Sequence, residues 1–560
     1  MENQSNVNQK ILLTIKRMGI NGEGIAYYKR KAVFIPNAIP GEIVEVKITK
    51  DLEKYAYGEV VQYKKMSEYR VKPRCEYYGR CGGCQLQHMA YPYQLEQKRA
   101  IVEETIDKYF EGKSRKFEIK ECLGMNEPWE YRNKTQLPTR HDGDKVVVGM
   151  YELDSNRLVY INKCLIESKL ISEIMNIVLD YLTKASINVY NPRFQQGNLR
   201  YIVIRGFEET NEVQVTYVVM KEEPRLTRIL TESIKLDSRI KSIHYSINND
   251  PKSIEIMTNK VVKLAGKDQI EGKLEGLNFT ISPNAFFQLN NSQTKVLYNE
   301  VLKALNPTGK ENVLDLYCGI GSIGLYVASK VNQVRGIDIN PESIVNANNF
   351  ATINGLDNAK FYSGNIMKQL EKFEKEGFTP DVVIVDPPRK GVELQVINYL
   401  QKKKVKKVIY VSCNPATLVK NLNHLQKEYV IRYIQPVDMF PQTANVETVV
   451  LLSHKSNNSK VNVNLNFDNE KGKKLIKKVV EDVDSRKEPE GASYPEIKEY
   501  ILNKYNVKVS SLNIAQIKTK YGIIERECYN KPKSENSRQP KCTKEKEEMI
   551  VDALKLFKMI

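Results

Sequence analysis

The sequence predicts a multidomain α/β protein with a small N-terminal β-barrel, an α+β middle domain, a Rossmann-like C-terminal domain and an extra helical tail. The chain has 560 residues, and at roughly 150 residues per domain this length allows three or four folding units. Four apolar strand-like runs alternate with segments of helical spacing, and a glycine-punctuated β pattern precedes them. The predicted boundaries are 10–66 for the barrel, 67–280 for the middle domain, 281–454 for the Rossmann-like domain, 455–470 for a linker and 471–560 for the tail.

The charge balance predicts a polyanionic partner. The chain carries 86 Lys+Arg against 68 Asp+Glu, a formal net charge of +18, and such a surplus attracts nucleic acid, with an anionic membrane surface or simple solubility as alternatives. The mean hydropathy is −0.47, and no apolar run approaches the ~18 residues that a membrane span requires. The first ten residues lack a signal-peptide pattern, and nine cysteines are too few for a disulfide scaffold. We therefore expect a soluble protein of the reducing cytoplasm.

The N-terminal β pattern extends from Lys10 to about Tyr63. Three glycines at 19, 22 and 24 mark the first turn, and Ala32–Ile35 is a short apolar strand. Short strands in about 50 residues are typical of a small barrel, and such barrels often bind single-stranded nucleic acid through basic and aromatic side chains. A solvated basic surface is the alternative interpretation.

The C-terminal half predicts a doubly wound, mostly parallel sheet. Four apolar strand-like runs are separated by stretches with helical spacing, at Asn312–Leu316, Val334–Asp338, Asp381–Asp386 and Lys407–Ser412. A last strand pair is expected at Tyr429–Pro436 and Thr448–Leu452. Ligands of this fold bind at the carboxyl ends of the strands.

A glycine-rich loop and two carboxylates indicate the cofactor. The loop Asp315–Gly324 follows a strand and opens a helix, which allows a cofactor to approach the backbone. Asp338 ends the next strand, where a carboxylate can accept hydrogen bonds from ribose hydroxyls, and Asp386 begins an Asp-Pro-Pro motif after a later strand. This combination favours S-adenosylmethionine-dependent methyl transfer over dinucleotide redox chemistry.

Cys413 and Glu447 are the candidate catalytic pair. Cys413 ends the strand after Asp386 and is expected to face the same crevice, although an isolated cysteine is often an inert buried side chain. C5 of a pyrimidine is a poor nucleophile until a thiolate adds to C6, and its proton must later be removed by a base. Glu447, which precedes the last strand, is the candidate base, with a solvated surface charge as the alternative.

The tail predicts two short helices. Tyr494, Ile497 and Ile501 keep helical spacing, and Ser510 offers a cap for a second helix. This arrangement resembles a helix-turn-helix, and residues 471–560 carry a net charge of +7. A second nucleic-acid contact and a plain helical packing module are both consistent with it.

Taken together, these motifs resemble the RNA uracil-C5 methyltransferases, most closely the 23S rRNA branch with an N-terminal TRAM barrel and a [4Fe-4S] cluster. The resemblance covers residues 10–454. The matching stretches are Cys75–Cys84, Tyr131–Lys134, Ser282–Gln288, Asp315–Gly324, Asp386–Arg389, Ser412–Pro415 and Asp438–Glu447.

The resemblance implies roles for individual residues. Cys413 is expected to add to C6 of uracil, and Glu447 to remove the C5 proton. Residues expected to line the cofactor and uracil pocket are Gln288, Tyr317, Asp338, Asp386, Asp315, Gly319 and Asn365. The chain departs from the commoner family residues at Asp338 (Glu), Ser322 (Thr) and Asn365 (an acidic residue), which leaves the adenine-edge role of Asn365 the most open.

The resemblance also implies a metal centre in the middle domain. Cys75, Cys81 and Cys84 would hold a [4Fe-4S] cluster with Cys164 as the fourth ligand. Four thiolates also suit zinc, although zinc ribbons tend to use two close cysteine pairs.

The expected partner is RNA, and 23S ribosomal RNA is the first choice. A tRNA uridine-C5 methyltransferase is the alternative within the enzyme class, because the catalytic motifs are shared. A catalytically silent iron–sulfur RNA-binding protein is the alternative outside it.

Overall fold

The computed structural model describes residues 6–112, 116–153, 155–456, 494–505, 507, 509–521 and 542–557. Contacts between residues divide the chain into two units, Met1–Asn458 and Ser459–Ile560. The predicted linker 455–470 lies outside the described residues, apart from its first two positions. No helix in the described part of the chain combines the length and apolar character needed to cross a bilayer.

The first sheet of unit Met1–Asn458 has six strands in the order β1-β5-β6-β4-β3-β2. They are β1 (Lys10–Thr14), β2 (Arg17–Met18), β3 (Gly24–Tyr28), β4 (Lys31–Ile35), β5 (Ile43–Asp51) and β6 (Tyr55–Lys65). Burial alternates along β1, where Ile11 and Leu13 point into the core, as expected for a sheet with one solvated face. A glycine is required at Gly58, since a Cβ there would lie 2.3 Å from the Val46 side chain.

The middle region contains a seven-stranded sheet in the order β10-β9-β8-β11-β12-β13-β14. Its elements are α1 (Tyr91–Tyr109), β7 (Glu118–Ile119), β8 (Lys134–Asp142), β9 (Lys145–Tyr151), β10 (Leu158–Tyr160), α2 (Lys169–Lys184), β11 (Leu199–Phe207), β12 (Glu212–Val219), α3 (Pro224–Glu232), β13 (Ile240–Ile247) and β14 (Val261–Gly266). Ser168 caps α2, and Ile171, Ile174 and Val178 place an apolar stripe of that helix in the core of this sheet. A hairpin of β15 (Ile270–Leu274) and β16 (Leu277–Ile281) follows.

The largest sheet has eight strands in the order β19-β18-β17-β20-β21-β23-β22-β7. Its elements are α4 (Asn291–Leu305), β17 (Asn312–Leu316), α5 (Ser322–Ala328), β18 (Gln333–Asp338), α6 (Pro341–Ile353), β19 (Ala359–Ser363), α7 (Ile366–Lys375), β20 (Val382–Val385), α8 (Leu394–Lys403), β21 (Lys407–Ser412), α9 (Pro415–Leu425), β22 (Tyr429–Val437) and β23 (Glu447–His454). Strands β17 to β21 are parallel, while β23 is antiparallel to both of its neighbours. The strand order reverses between β17 and β20, which is where doubly wound sheets bind their ligands.

Alternate residues of the parallel strands enter two different cores. Val313 and Ile384 belong to one apolar cluster, and Leu314 and Val383 to another. Because successive side chains of a strand point to opposite faces, the sheet is covered on both sides. Strands β17, β20 and β21 are therefore mostly apolar in the sequence, and Asp315 is a buried polar exception within β17.

The second unit contains three described helices, α10 (Tyr494–Tyr505), α11 (Ser511–Lys520) and α12 (Lys544–Leu556). They share an apolar core that includes Ile497, Ile514 and Leu554. Ser510 caps α11 in a reciprocal capping box with Asn513.

Candidate active site

Three predicted cofactor residues form one row at the carboxyl edge of the eight-stranded sheet. Leu316 of β17 is paired with Ile337 of β18 and with Val385 of β20. The next positions along these strands are Tyr317, Asp338 and Asp386. The parallel register therefore brings together side chains that are up to 69 residues apart in the chain.

The glycine-rich loop between β17 and α5 is held by Asp338. Its Oδ2 accepts a hydrogen bond from the Gly319 backbone N–H (3.0 Å), and its Oδ1 accepts one from Asn340 (2.8 Å). The loop has left-handed backbone at Tyr317 (φ 61°), Gly319 (φ 54°) and Gly321 (φ 75°). At Gly321 a Cβ would lie 2.6 Å from the Phe361 ring, so only glycine fits there.

Asp315 lies beneath this loop and is fully buried. Its Oδ2 accepts a hydrogen bond from the Gly324 N–H (2.9 Å), while its Oδ1 is buried without a partner among the described residues. Burial raises the pKa of this carboxyl group to about 8, with Asp386 and Asp338 adding to the effect. Asp315 therefore fixes the start of α5 from inside the fold.

Asn365 and Gln288 occupy separate positions. Asn365 follows β19 at the same edge, and its side chain caps α7 by accepting a hydrogen bond from Lys368 N–H (3.3 Å). Gln288 precedes α4, and its backbone carbonyl accepts a hydrogen bond from Asn133 Nδ2 (2.9 Å). No hydrogen bond joins the Gln288 side chain to another predicted site residue in the described ranges.

Cys413 and Glu447 are adjacent across a strand pair. Ser412 of β21 is paired with Thr448 of β23 in the antiparallel ladder, so the next position of that register sets Cys413 opposite Glu447. Residues directly opposite one another in such a ladder have Cβ atoms about 4.5–5.5 Å apart. The two predicted catalytic residues are therefore brought together at the carboxyl edge, and both side chains are partly exposed.

Asp386 and Arg389 complete the electrostatic surroundings of this pair. Burial is the largest cause that raises the pKa of Cys413 to about 11; the Glu447 and Asp386 carboxylates add to the effect, and Arg389 opposes it. The pKa of Glu447 is raised well above its ordinary value by burial and Asp386, again against Arg389. Burial raises the pKa of Asp386 to about 7. The site thus binds protons tightly and changes its charge near neutral pH.

Arg389 received no role from the sequence, although it ends the Asp-Pro-Pro-Arg motif. Its backbone carbonyl accepts hydrogen bonds from Asn414 Nδ2 (3.2 Å) and Thr417 Oγ1 (3.1 Å), which join its loop to the one that follows Cys413. The signal that could have identified Arg389 is a cation three residues after the acidic Asp386 in the same motif.

A buried ion pair supports the loop that leads to Glu447. Lys98 of α1 pairs with Asp438, and both side chains are fully buried. Tyr91 also donates its hydroxyl to Asp438 (2.9 Å), and Gln94 bonds Gln442 (3.0 Å). The middle region therefore helps to position the start of β23.

The four predicted cluster cysteines line one cavity of about 130 Å³. Cys75, Cys81, Cys84 and Cys164 are free thiols surrounded by apolar side chains that include Tyr77. Burial raises the pKa of Cys84 to about 11 and also raises those of Cys81 and Cys164. Among the described residues, no group of three or more His, Cys, Asp or Glu is arranged to hold a single metal ion. Four cysteine thiols on one cavity are a donor set that metal centres with thiolate ligands use, and a cationic centre would offset the cost of ionising these thiols.

Comparisons with protein families match most of the chain. Residues 90–455 match the family described as tRNA (Uracil-5-)-methyltransferase, and residues 4–61 match the TRAM domain.

Similar proteins match about four fifths of the chain. A protein named uncharacterized RNA methyltransferase from Bacillus anthracis is 44% identical over 455 residues, which cover 81% of this chain and 99% of that protein. A protein with the same description from Listeria monocytogenes is 44% identical over 456 residues, covering 81% and 99%. Among solved structures, a Pyrococcus abyssi tRNA (uracil-54, C5)-methyltransferase in complex with S-adenosyl-L-homocysteine is 28% identical with a TM-score of 0.63. The match covers 79% of this chain and 99% of that one.

Proposed function

The chain belongs to the tRNA (uracil-5-)-methyltransferase family, and from this premise we propose that it methylates C5 of a uridine in 23S ribosomal RNA. It is an S-adenosylmethionine-dependent RNA methyltransferase by its family and its relatives. The observation that supports the chemistry most directly is the strand register that sets Cys413 opposite Glu447 at the edge where Asp338 and Asp386 lie.

The first proposed step is the addition of Cys413 to the base. The Cys413 thiol gives its proton to solvent, the resulting thiolate sulfur forms a bond to C6 of uracil, and the electron pair of the C5–C6 double bond moves onto C5 and O4. S-adenosylmethionine, when bound, would supply the electrophilic methyl group that C5 takes up, and S-adenosylhomocysteine, which keeps the electron pair of the broken S–CH3 bond, would be the leaving group. Arg389 lowers the cost of ionising Cys413, since its charge opposes those of Glu447 and Asp386.

The second proposed step is the removal of the C5 proton by Glu447. The carboxylate takes the proton, the C5–C6 double bond forms again, and the C6–S bond breaks to release the Cys413 thiolate. A carboxylate whose pKa is raised by burial is a stronger base than an exposed one, which suits Glu447 to this role.

The remaining cofactor residues are proposed to act at the carboxyl edge of the sheet. Asp338 would accept hydrogen bonds from the ribose, Tyr317 and Gly319 would form the loop beside the cofactor, and Asp315 would hold that loop from below. We propose that Asn365 contacts the edge of the cofactor adenine, in addition to capping α7. We propose that Gln288 and Asp386 contact the edge of the uracil base.

We propose that the middle-domain cysteines hold a structural [4Fe-4S] cluster. Cys75, Cys81, Cys84 and Cys164 would be its ligands, and zinc is the alternative group. Iron and zinc analysis of anaerobically purified protein tests this, because a cluster requires about four iron atoms per chain and visible absorption. Stoichiometric zinc without iron would contradict the cluster.

We propose that the N-terminal region is a small TRAM-type barrel that contacts RNA. Tyr27, Tyr55 and Tyr57 are exposed there, and Phe34 packs edge-on against Tyr55 (5.6 Å between ring centroids). Exposed rings on a basic surface can stack with bases. We also propose a nucleic-acid role for the helix-turn-helix-like tail and a cytoplasmic location for the protein. The proposed domain boundaries are 10–66, 67–280, 281–454, 455–470 and 471–560.

The alternative substrate is tRNA, and one specific observation favours it. The Pyrococcus abyssi protein of similar structure is named a tRNA (uracil-54, C5)-methyltransferase. The four cysteines favour ribosomal RNA in our proposal. Mapping 5-methyluridine in the rRNA and tRNA of a deletion strain distinguishes the two, with complementation by the wild type and by Cys413→Ala.

The expected result is the loss of a 23S rRNA modification, restored by the wild type and not by Cys413→Ala. Loss confined to tRNA would assign the alternative substrate. An unchanged modification pattern would favour a catalytically silent RNA-binding protein.

A further inference from the structure

A basic cavity lies beside the segment that leads to Gln288. Its volume is about 220 Å³, and its lining includes Arg132, Lys134, Arg205 and Asn284. Asn133, between the first two of these cations, bonds the Gln288 carbonyl, so the cavity adjoins the candidate active site. None of the three cations has a role in the chemistry proposed above.

Two of these cations face one another across neighbouring strands. Lys134 of β8 and Arg205 of β11 are partners in the antiparallel register, and Arg205 is 3% exposed. Like charges directly opposite in a sheet are destabilising, and burial adds a desolvation cost. Burial lowers the pKa of Lys134 to about 7, with Arg205 and Arg132 contributing. The fold therefore maintains an unfavourable concentration of positive charge at this point.

The surrounding protein compensates the charge of Arg132 in part, but not that of Lys134 or Arg205. Within the described residues, neither Lys134 nor Arg205 forms an ion pair with a carboxylate. Arg205 donates instead to the backbone carbonyls of Ala285 (2.7 Å) and Ser282 (3.5 Å). Arg132 donates its Nε to the Lys134 carbonyl (2.9 Å) and interacts electrostatically with the buried Glu167.

An adjoining cavity of about 350 Å³ connects this charge with the cofactor edge. It shares Lys134 with the basic cavity and extends to Asn340 and Ser343, just after Asp338. The carboxylates of Glu255 and Glu342 also line it, but neither lies within ion-pair distance of Lys134 in the described structure. An anion bound by Lys134 would therefore sit between the middle region and the candidate active site.

We propose that Lys134, with Arg205 and Arg132, binds a phosphodiester group of the substrate RNA close to the target uridine. This inference rests on the proposed function, which supplies a polyanion whose reactive base must enter the neighbouring crevice. Phosphate contacts fix the position of a nucleic acid without reading its sequence. The cations are thus positioning residues, and a phosphate would complete their charge balance.

The test compares Lys134→Met with Lys330→Met in the full-length protein as purified. Lys330 is exposed after α5, near the start of β18 and therefore at the opposite edge of the sheet. Binding of a 23S rRNA transcript is measured by filter binding over a series of KCl concentrations. We expect Lys134→Met to weaken binding about 10- to 100-fold and to reduce the salt slope by about 0.7, while Lys330→Met matches the wild type.

Calorimetric titration with S-adenosylmethionine separates RNA phosphate from the other candidate anion, the cofactor carboxylate. The Kd of the cofactor should be the same for Lys134→Met and the wild type. Weaker cofactor binding with unchanged RNA binding would overturn the inference, as would unchanged RNA affinity and salt slope in a folded variant. Lys134→Gln provides a second folded variant, for which we expect the same loss of RNA affinity.

Failure of the proposed function would be visible separately. If the wild type binds this RNA but methylates no uridine in it, the assigned reaction is wrong while the phosphate contact is still tested by the affinities. If the wild type methylates the RNA and Lys134→Met binds it normally, the phosphate inference alone fails.

Discussion

Two regions of the first unit each bury several side chains of like charge. The regions differ in how readily those side chains become neutral near pH 7. The acidic edge consists of Asp315, Asp338, Asp386 and Glu447 at the carboxyl ends of the eight-stranded sheet. The basic cavity consists of Arg132, Lys134 and Arg205 on the seven-stranded sheet. Burial raises the pKa values of Asp315 and Asp386 to about 8 and about 7, so these carboxyls can take up protons near neutral pH. In the basic cavity Arg205 stays charged, because its pKa falls only to about 10, whereas the pKa of Lys134 falls to about 7, so this side chain can lose its proton near neutral pH.

This difference in pKa suits the two regions to different chemical roles. Groups that gain and lose protons near pH 7 are suited to proton transfer and to a cationic cofactor. A guanidinium group that keeps its charge is suited to holding an anion through several binding events. The protein thus separates the chemistry of the base from the binding of the RNA backbone.

The largest effect is expected from Glu447→Gln at the acidic edge. Without a base the C5 proton is retained, so turnover should fall by about 10²- to 10⁴-fold, and a covalent protein–RNA species should accumulate. Denaturing gels of protein incubated with RNA and S-adenosylmethionine detect it. Glu371→Gln, on the exposed surface of α7, is the control and should behave like the wild type. Full turnover by Glu447→Gln would remove this residue from the role of base.

The next effect is a pH dependence of methyl transfer. Because the pKa of Cys413 is about 11, the thiolate fraction rises about tenfold for each pH unit below that value. The value of kcat/KM should therefore rise by roughly 100-fold between pH 7 and pH 9. In Asp386→Asn one negative charge near the thiol is lost, so the rise should move to lower pH. A flat profile in the wild type would show that thiol ionisation does not limit the reaction.

Cofactor affinity should respond to the charge of Asp386. Since burial raises the pKa of Asp386 to about 7, its carboxyl is charged above that pH and neutral below it. The affinity for the sulfonium cofactor should fall as the pH is lowered from 8 to 6, and Asp386→Asn should weaken it about tenfold at pH 8. Calorimetric titration measures both, with the exposed Asp357→Asn as control. Equal affinities for Asp386→Asn and the wild type would contradict this electrostatic role.

The smallest effect is expected in the folding stability of the protein, through Lys134 in the basic cavity. Lys134 has a folded-state pKa of about 7, below its ordinary value, so the unfolded chain binds its proton more tightly. Folding stability from this residue is therefore lost as the pH falls from about 10 to 7. Lys134→Met should stabilise the RNA-free protein by about 0.5 kcal/mol at pH 7, and the gain should shrink toward pH 10. Urea unfolding monitored by fluorescence tests this, and a destabilised variant at pH 7 would contradict it.

Four strands of the parallel sheet could be predicted because each carries a local signal, whereas β19, with its alternating burial, was not predicted. The apolar runs ending at Leu316, Asp338 and Ser412 are β17, β18 and β21, and the last strand pair lies close to its predicted bounds. Strands buried on both faces are continuously apolar, so their ends are visible in the sequence. The meeting of Cys413 and Glu447 follows from the same logic, since both lie where strands begin or end.

The contacts between distant segments could not be predicted. β7, of only two residues, joins the edge of the eight-stranded sheet beside β22, and such a short strand has no periodicity. The pairing of Lys134 with Arg205 depends on a register between strands 71 residues apart. The helix-capping hydrogen bond of Asn365 could not be predicted either, because an asparagine at this position can equally contact the cofactor or cap a helix.

The most direct test of the account is covalent trapping of RNA that contains 5-fluorouridine. Fluorine at C5 cannot be removed as a proton, so the enzyme should remain bound to the methylated base through Cys413. The wild type and the control variant Cys542→Ala should give a complex that survives denaturation, and Cys413→Ala should give none. A persistent complex with Cys413→Ala would contradict the assignment of this thiol as the nucleophile.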